Sequence, residues 1–517
     1  MNNLKIWRYI SSPWLIFSSF FFIAFFFLSF SSDIESEYIN NRYLTILFLN
    51  TILLSLLTGL ISALIAIPLA VLVTFYKFPG HQFFNWSLSL SIAFPVYVYS
   101  FIYVGIFEYS SPISELFRNF NIYLPSLKNL IGASIIMSMA LFPYIFILVK
   151  AQLSTSGTKI FKAAKTLGQN NIQAIYKVIL PSMRPAIIGG ITLVMFETIS
   201  DFGGVSTLRV DTFTIGIYEA WFGYQSYVSA VKLAGYLMIY VLFLMFLGKS
   251  LGVSSEYLAS KSSEEFEKIE LSKRNKYLSF LVCLVIFVFV FCIPLVQLIT
   301  WSFSSTSMAI ISNLNLIFNS LLIGLLVAGL TVFIAMSLAL SYQSFNKIKL
   351  VISITTSGYA IPGSVISAGL LFFFDYFFNT SLTTIGIFGL ILCLSVRFMT
   401  PPFNYLLASL KNMSKSSMSS LSLMPTNSYK AFKQVLLPQI RPGLVIGFMI
   451  VFIESIKEQP ATLLLRPVGF DTLSTKIYNY TSEGQWILAS SPSIILIFIS
   501  LIFVFLINKV SIQNNNI

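Results

Sequence analysis

The sequence predicts an all-α integral membrane protein of about 12 transmembrane helices, arranged as two repeated six-helix halves. Three observations predict it. Of the 517 residues, 56% are hydrophobic and only 10% are charged, with a mean hydropathy of +0.84, outside the usual composition of soluble globular domains. Apolar runs long enough to cross a hydrocarbon core of ~30 Å recur along the whole chain. Blocks of sequence also return at an interval of 257 residues, as from Pro181 to Pro438, from Pro185 to Pro442 and from Gly190 to Gly447.

The apolar runs place spans at roughly 14–31, 45–76, 87–107, 130–150, 185–203, 228–249, 277–301, 317–342, 351–374, 384–408, 442–456 and 490–508. Lys5 and Arg8 before the run Trp14 to Phe30 imitate a signal peptide. The run is long and no A-x-A-like cleavage site follows it, so it reads as a retained first span. Loop charge tests the count independently. The loop 150–184 holds Lys150, Lys159, Lys162, Lys165, Lys177 and Arg184 without an acid, and 409–441 holds Lys411, Lys415, Lys430, Lys433 and Arg441 without one. The first loop on the opposite side carries Asp33, Glu35 and Glu37. The positive-inside rule then puts both termini in the cytoplasm. A net charge of +13 would suggest nucleic acid in a soluble chain; here the bases sit in short loops facing membrane lipid, and no nucleic-acid partner is expected.

The stretch Ser254 to Lys276 is the one long charge-mixed segment and reads as a cytoplasmic linker, leaving 1–253 and 277–517 as the two halves. Their likeness is local and specific. YKVILPSMRPAIIGG (176–190) parallels FKQVLLPQIRPGLVIG (432–447), VDTFTIGIY (210–218) parallels FDTLSTKIY (470–478), and Asn50-Thr51 parallels Asn319-Ser320 at the opening of a long span.

Between the fourth and fifth spans the chain reads KAAKTLGQNNIQAIYKVILP (162–181). On a helix Ala164 shares a face with Phe161 and Gly168, a nearly flat side suited to a groove on another protein. The alternative is an amphipathic helix resting on lipid headgroups. Ala163, Ala164, Gly168 and the Ile179-Leu180-Pro181 end resemble the EAA loop of ABC importer permeases, with Lys162 where that family has Glu. In the second copy Ser419, Ser420 and Leu421 hold the EAA positions and Pro425 replaces the glycine, while Leu437-Pro438 remains. The resemblance implies two coupling loops docking on a separate ATP-binding cassette ATPase dimer, which would carry ATP and Mg; no cofactor is expected on this chain.

The segments MFETISDFGGVSTLRVDTFTIGIYEAWFG (195–223) and IKEQPATLLLRPVGFDTLSTKIY (456–478) are similar to the two halves of fused ferric iron permeases. That likeness implies an inner-membrane permease fed by a ferric-iron substrate-binding protein, docking on the outer loops that hold Asp211 and Asp471. Related fused permeases for thiamine, phosphonate or polyamine share the architecture. An ion-gradient-driven secondary transporter would also show parallel repeats and buried carboxylates, but has no use for an ATPase-docking loop.

Acids within spans are rare and tend to line pathways. Glu197 and Asp201 lie four apart at the end of the fifth span, and Glu454 and Glu458 hold the same places on the eleventh. Helical spacing puts each pair on one face, and carboxylate oxygens suit a hard cation. They either guide metal across the pore axis or sit at the outer surface, solvated or paired with Lys457, Arg209 or Arg466. Any resident metal site is unknown.

The remaining motifs favour structure. Gly248-Lys249-Ser250 lacks the phosphate-loop glycine at position 243, where Phe243 stands. His81, the single histidine, follows Pro79-Gly80 in a short turn, and Cys283, Cys292 and Cys393 lie in apolar runs without metal spacing. Pro68, Pro95, Pro143 and Pro362 read as kinks, and Arg397 either snorkels or pairs internally. No Ser/His/Asp or Cys/His arrangement supports covalent catalysis, so the chain reads as a transporter and not an enzyme.

Overall fold

The computed structural model describes residues 5–30, 40–251, 268–304, 313–344, 348–379, 382–411, 413 and 432–515. Pro425 with Ser419, Ser420 and Leu421, the acids of the first outer loop and most of the linker lie outside them. Among the described residues the architecture is almost wholly helical, with a single two-stranded parallel pair. Eight helices are long and apolar enough to cross a membrane, and four bent pairs raise the number to as many as 12. This is a multi-pass membrane protein.

Proline chemistry explains the two sharpest bends. The third span is His81–Ala93 followed by Val96–Asn119, turned by 91°, and the ninth is Lys349–Ala360 followed by Gly363–Phe378, turned by 117°. Each turns at a proline. Pro95 and Pro362 supply no N–H and push the residue before them out of helical geometry; Phe94 and Ile361 are extended, with ψ of 124° and 127°. Pro68 and Pro143 each sit inside a continuous helix, Asn41–Phe75 and Leu130–Gln152. Bends of 63° and 49° also separate Asn171–Ser182 from Arg184–Ser200 and Gly386–Arg397 from Thr400–Lys411.

The first span leaves its own repeat to pack on the other. Trp7 meets Phe432 at 5.2 Å, Phe21 meets Phe373 at 5.9 Å, and Ser11 Oγ lies 3.1 Å from Ser341 Oγ. The seventh span crosses in the opposite sense, with Phe287 against Phe83 at 5.2 Å and Phe291 against Phe94 at 5.7 Å. A π-helical stretch, Val288–Cys292, widens that span. Tyr99 and Tyr103 donate to the Val290 and Phe289 carbonyls there, satisfying backbone groups that lipid would leave unpaired.

Small and hydroxylated residues let the inner spans approach closely. Ser138 Oγ on Leu130–Gln152 donates to the Thr58 carbonyl of Asn41–Phe75 at 3.2 Å. A Cβ on Gly59 would stand 3.1 Å from Ile191. The outward faces are apolar, as at Leu64 and Phe246, which are 74% and 73% exposed; these are lipid-facing surfaces.

The sequence repeat returns as repeated contacts. Asn50 Nδ2 donates to the Asp211 carbonyl at 3.0 Å, and Asn319 Nδ2 to the Asp471 carbonyl at 2.8 Å. Thr51 Oγ1 accepts from Phe213 N at 3.1 Å, and Ser320 Oγ from Leu473 N at 2.8 Å. The paired Asn-Thr and Asn-Ser motifs therefore anchor the returning loop after the fifth and eleventh spans. The end of the linker is tied down as well: Ile269–Glu270 pairs in parallel with Tyr76–Lys77, and Lys268 Nζ donates to the Val73 carbonyl at 3.0 Å. Burial lowers the Lys268 pKa from its ordinary value.

Candidate functional site

The fifth and eleventh spans end in the same way. Helix Arg184–Ser200 stops before Asp201 (ψ 137°), and Leu437–Lys457 stops before Glu458 (ψ 128°). Each acid then caps a short helix that follows. Asp201 Oδ1 accepts from Val205 N at 3.1 Å at the start of Gly203–Thr207. Glu458 accepts from Ala461 N at 3.0 Å and Thr462 N at 3.1 Å at the start of Pro460–Leu465. The expected helical face shared by Glu197 with Asp201, and by Glu454 with Glu458, is therefore not how they meet; the chain has left the helix at the second acid of each pair.

They meet through the cavity instead. Glu197, Asp201, Glu454 and Glu458 all line one cavity of about 90 Å³, together with Arg397 and Lys457. Glu197, Asp201 and Glu454 are half-buried, and Glu458 is buried. Glu458 is buried and paired with Arg397, whose Nη1 lies 3.3 Å from Oε1. Glu454 lies 4.0 Å from Lys457 Nζ. Arg397 thus pairs internally, and Arg466 pairs with Asp471 outside the cavity. Glu197 accepts from Tyr359 Oη at 2.5 Å.

The bends place these partners. Aligning Pro95 with Pro362 sets Ile92 opposite Tyr359. The Ile92 carbonyl accepts from Lys457 Nζ at 2.9 Å, while Tyr359 reaches Glu197. Each broken span is latched to the acid-bearing span of the other repeat. Freed backbone groups and half-helix N-termini at such breaks are suited to holding ions and polar substrates. The Gly363 N-terminus is packed tightly enough that a Cβ there would meet Glu458 Oε1 at 2.3 Å and Arg397 Nη1 at 2.4 Å. Among the described residues no group of three or more His, Cys, Asp or Glu side chains is arranged to hold a metal ion. The cavity is strongly charged, with four acids against two bases.

Sequence reasoning named the four acids and missed Tyr144, Tyr359 and Gln459 around them. Tyr144 and Tyr359 have no pattern in their neighbourhoods that marks them. Gln459 stands where the first repeat has Phe202, and its Oε1 is buried without a partner.

Of the residues that resemble the EAA loop, Ala163, Ala164 and Gly168 lie on helix Thr158–Thr166 and the turn after it. Here the structure corrects the expected exposed face. Phe161 and Ala164 are buried, with Phe161 stacked on Phe75 at 5.3 Å. Gly168 has φ +82° and open space around it. Gly168 N donates to the Lys165 carbonyl at 3.0 Å and Gln169 N to the Ala164 carbonyl at 3.1 Å, the pairing that ends a helix at a left-handed residue. Gly168 terminates the helix and does not flatten it. The outward surface is Ala163, Lys165 and Leu167, followed by Ile172 and Tyr176, with Leu167 82% exposed. Asn170 and Gln173 then form a capping box, and Leu180 and Pro181 begin the short helix Leu180–Ser182. Leu437 and Pro438 open the eleventh span in the same manner. The described cysteines are free, and His81 is half-buried at a helix start with Nδ1 3.1 Å from the Phe78 carbonyl.

No family model matches the chain. Compared with known proteins, it is 28% identical over 478 residues to an Fe(3+)-transport system permease protein of Haemophilus influenzae, covering 89% of each. It is 32% identical over 122 residues to a ferric transport system permease protein of Actinobacillus pleuropneumoniae, 23% of this chain and 18% of that one. A sulfate transport system permease protein of Escherichia coli is 25% identical over 169 residues, 33% of this chain and 60% of its own.

Proposed function

We infer that this chain belongs to the fused ferric iron permeases of binding-protein-dependent ABC importers, and that it carries ferric iron through the junction of its two repeats. The observation that carries the reading is the convergence of Glu197, Asp201, Glu454 and Glu458 on one cavity between the repeats, in a chain similar over 89% of its length to an iron permease. Four carboxylates against two bases favour a cationic cargo. The halves are 1–253 and 277–517, joined by a cytoplasmic linker, in an inner membrane with both termini cytoplasmic.

In this reading an external ferric-binding protein delivers the ion at the loops after the fifth and eleventh spans. An ATPase dimer, the site of ATP and Mg, engages the basic loops. Leu167, Ile172 and Tyr176 give the first loop an apolar contact surface fringed by lysines, and the counterpart loop containing Pro425 would engage the second ATPase subunit. Closure of that dimer opens the cavity to alternate sides by tilting one repeat against the other. Lys457 and Arg397 hold two acids in the resting state, and their contacts exchange as the repeats move.

The test is uptake of radiolabelled ferric iron by cells producing this chain with its ATPase and binding protein. Uptake that requires all three supports the reading. Uptake of thiamine, phosphonate or polyamine in place of iron changes the cargo only. Transport persisting without the ATPase points to a gradient-driven carrier.

A further inference from the structure

The aligned segments ending in Ile217-Tyr218 and Ile477-Tyr478 place their tyrosines where the acidic cavity does not use them. They face each other. Tyr218 closes helix Phe213–Tyr218 and Tyr478 lies within Leu473–Ser482, 260 positions later at the equivalent place. Their rings stand edge to face with centroids 5.8 Å apart. Both are half-buried. Phe202 lines the cavity and packs beneath both rings, at 4.6 Å from Tyr218 and 5.1 Å from Tyr478. One phenylalanine ring therefore touches both tyrosine rings and the cavity that the four acids line. The pair stands beyond the end of the fifth span remote from the basic loop.

We propose that Tyr218 and Tyr478 form the entry site of the pathway, where one phenolic oxygen from each repeat takes up the arriving ferric ion before it passes Phe202 into the acidic cavity. The proposal rests on the iron-permease reading and adds the groups that receive the cargo. Phenolate is a hard anionic oxygen donor, suited to a small trivalent cation for the same reason as carboxylate. On binding, each tyrosine O–H bond breaks and an Fe–O bond forms as the ion leaves the donor's ligands. The two protons go to water on the outer side, the iron stays ferric, and no electron moves. Glu219 adds negative charge beside the pair and is held by Tyr43 Oη at 2.7 Å. The nearby cation, Arg466, is already paired with Asp471. With the two tyrosine rings packed edge to face on Phe202, the ring cluster closes the entrance; separating them to admit the ion opens the way past Phe202.

Tyr218→Phe, Tyr478→Phe and the double variant keep the ring packing and remove only the oxygens. The full chain is produced with its ATPase and binding protein, and membrane levels are compared before uptake is read. Ferric uptake by the double variant is expected to fall at least about tenfold, the response to a lost direct contact of ordinary strength, with each single variant intermediate. In a second arm, ferric nitrilotriacetate is added to the purified complex, and a phenolate-to-iron charge-transfer band in the visible is expected for the unmodified chain and absent from the double variant. Wild-type uptake of iron with unchanged uptake in the double variant would overturn the entry site while leaving the cargo reading intact. A band that persists in the double variant would overturn it too. No iron uptake by the unmodified complex would instead remove the cargo reading on which the proposal stands.

Discussion

Arg397 reaches Glu458 at 3.3 Å, and the same carboxylate accepts the backbone N–H groups of Ala461 and Thr462. One acid thus joins the tenth span, the end of the eleventh and the helix that follows. Arg397→Ala leaves that carboxylate buried without its cation, which costs about 3–5 kcal/mol for a buried pair. The expected outcome is a sharply lower melting temperature of the purified protein and reduced membrane levels. Arg397→Ala combined with Glu458→Gln should recover part of the loss, because the stranded charge is gone.

Glu197 and Asp201 separate by role. Glu197→Gln keeps an oxygen for the Tyr359 hydroxyl and removes a charge from the cavity, so uptake is expected to drop by about an order of magnitude at unchanged thermal stability. Asp201→Ala removes a helix cap and should lower stability by about 1 kcal/mol, whereas Asp201→Asn keeps most of it. Melting curves alongside uptake distinguish the two residues.

At Gly168, φ is +82° with no neighbour within 4 Å, so only backbone strain opposes a side chain. Gly168→Val is expected to cost about 1–2 kcal/mol locally and Gly168→Asn less. Recovery of the ATPase in pull-downs should follow the order Gly, Asn, Val. Leu167→Asp, at an 82% exposed position, should weaken recovery of the ATPase without lowering the melting temperature.

Gly203 abuts Gln459 of the other repeat; a Cβ there would stand 1.8 Å from Oε1. Gly203→Ala forces the two repeats apart at this point, at a cost of about 1–3 kcal/mol for overpacking. A lowered melting temperature that Gln459→Ala restores would locate the strain between these two residues. An unchanged melting temperature in Gly203→Ala would show that the contact yields freely.

Much of the fold was legible because membrane spans obey one-dimensional rules: run length, loop charge and the return of Pro181 and Pro185 as Pro438 and Pro442 need no tertiary information. The four acids were legible for the same reason, since ionisable groups stand out against apolar runs. Their arrangement was not. Periodicity assumed the helices continue through Asp201 and Glu458, but both chains turn extended there and the acids cap the next helix. The buried side of helix Thr158–Thr166 was hidden for the same reason, because the 3.6-residue period identifies a face without saying what lies against it. Phe75, which covers Phe161, belongs to a helix that ends 86 residues earlier.

Hydrophobic content, loop charge and internal repetition are therefore enough to make this chain a duplicated multi-span membrane protein, because the bilayer penalises every unpaired backbone group and every misplaced charge along the chain itself. Which acids share a cavity, which tyrosines meet across the repeats and which of four prolines bend a span depended on tertiary packing. The first and seventh spans cross to the opposite repeat, and the decisive contacts, Tyr359 with Glu197 and Tyr218 with Tyr478, join residues far apart in sequence. Short-range pattern carries no term for such pairs; their energies exist only once the two repeats have closed on each other.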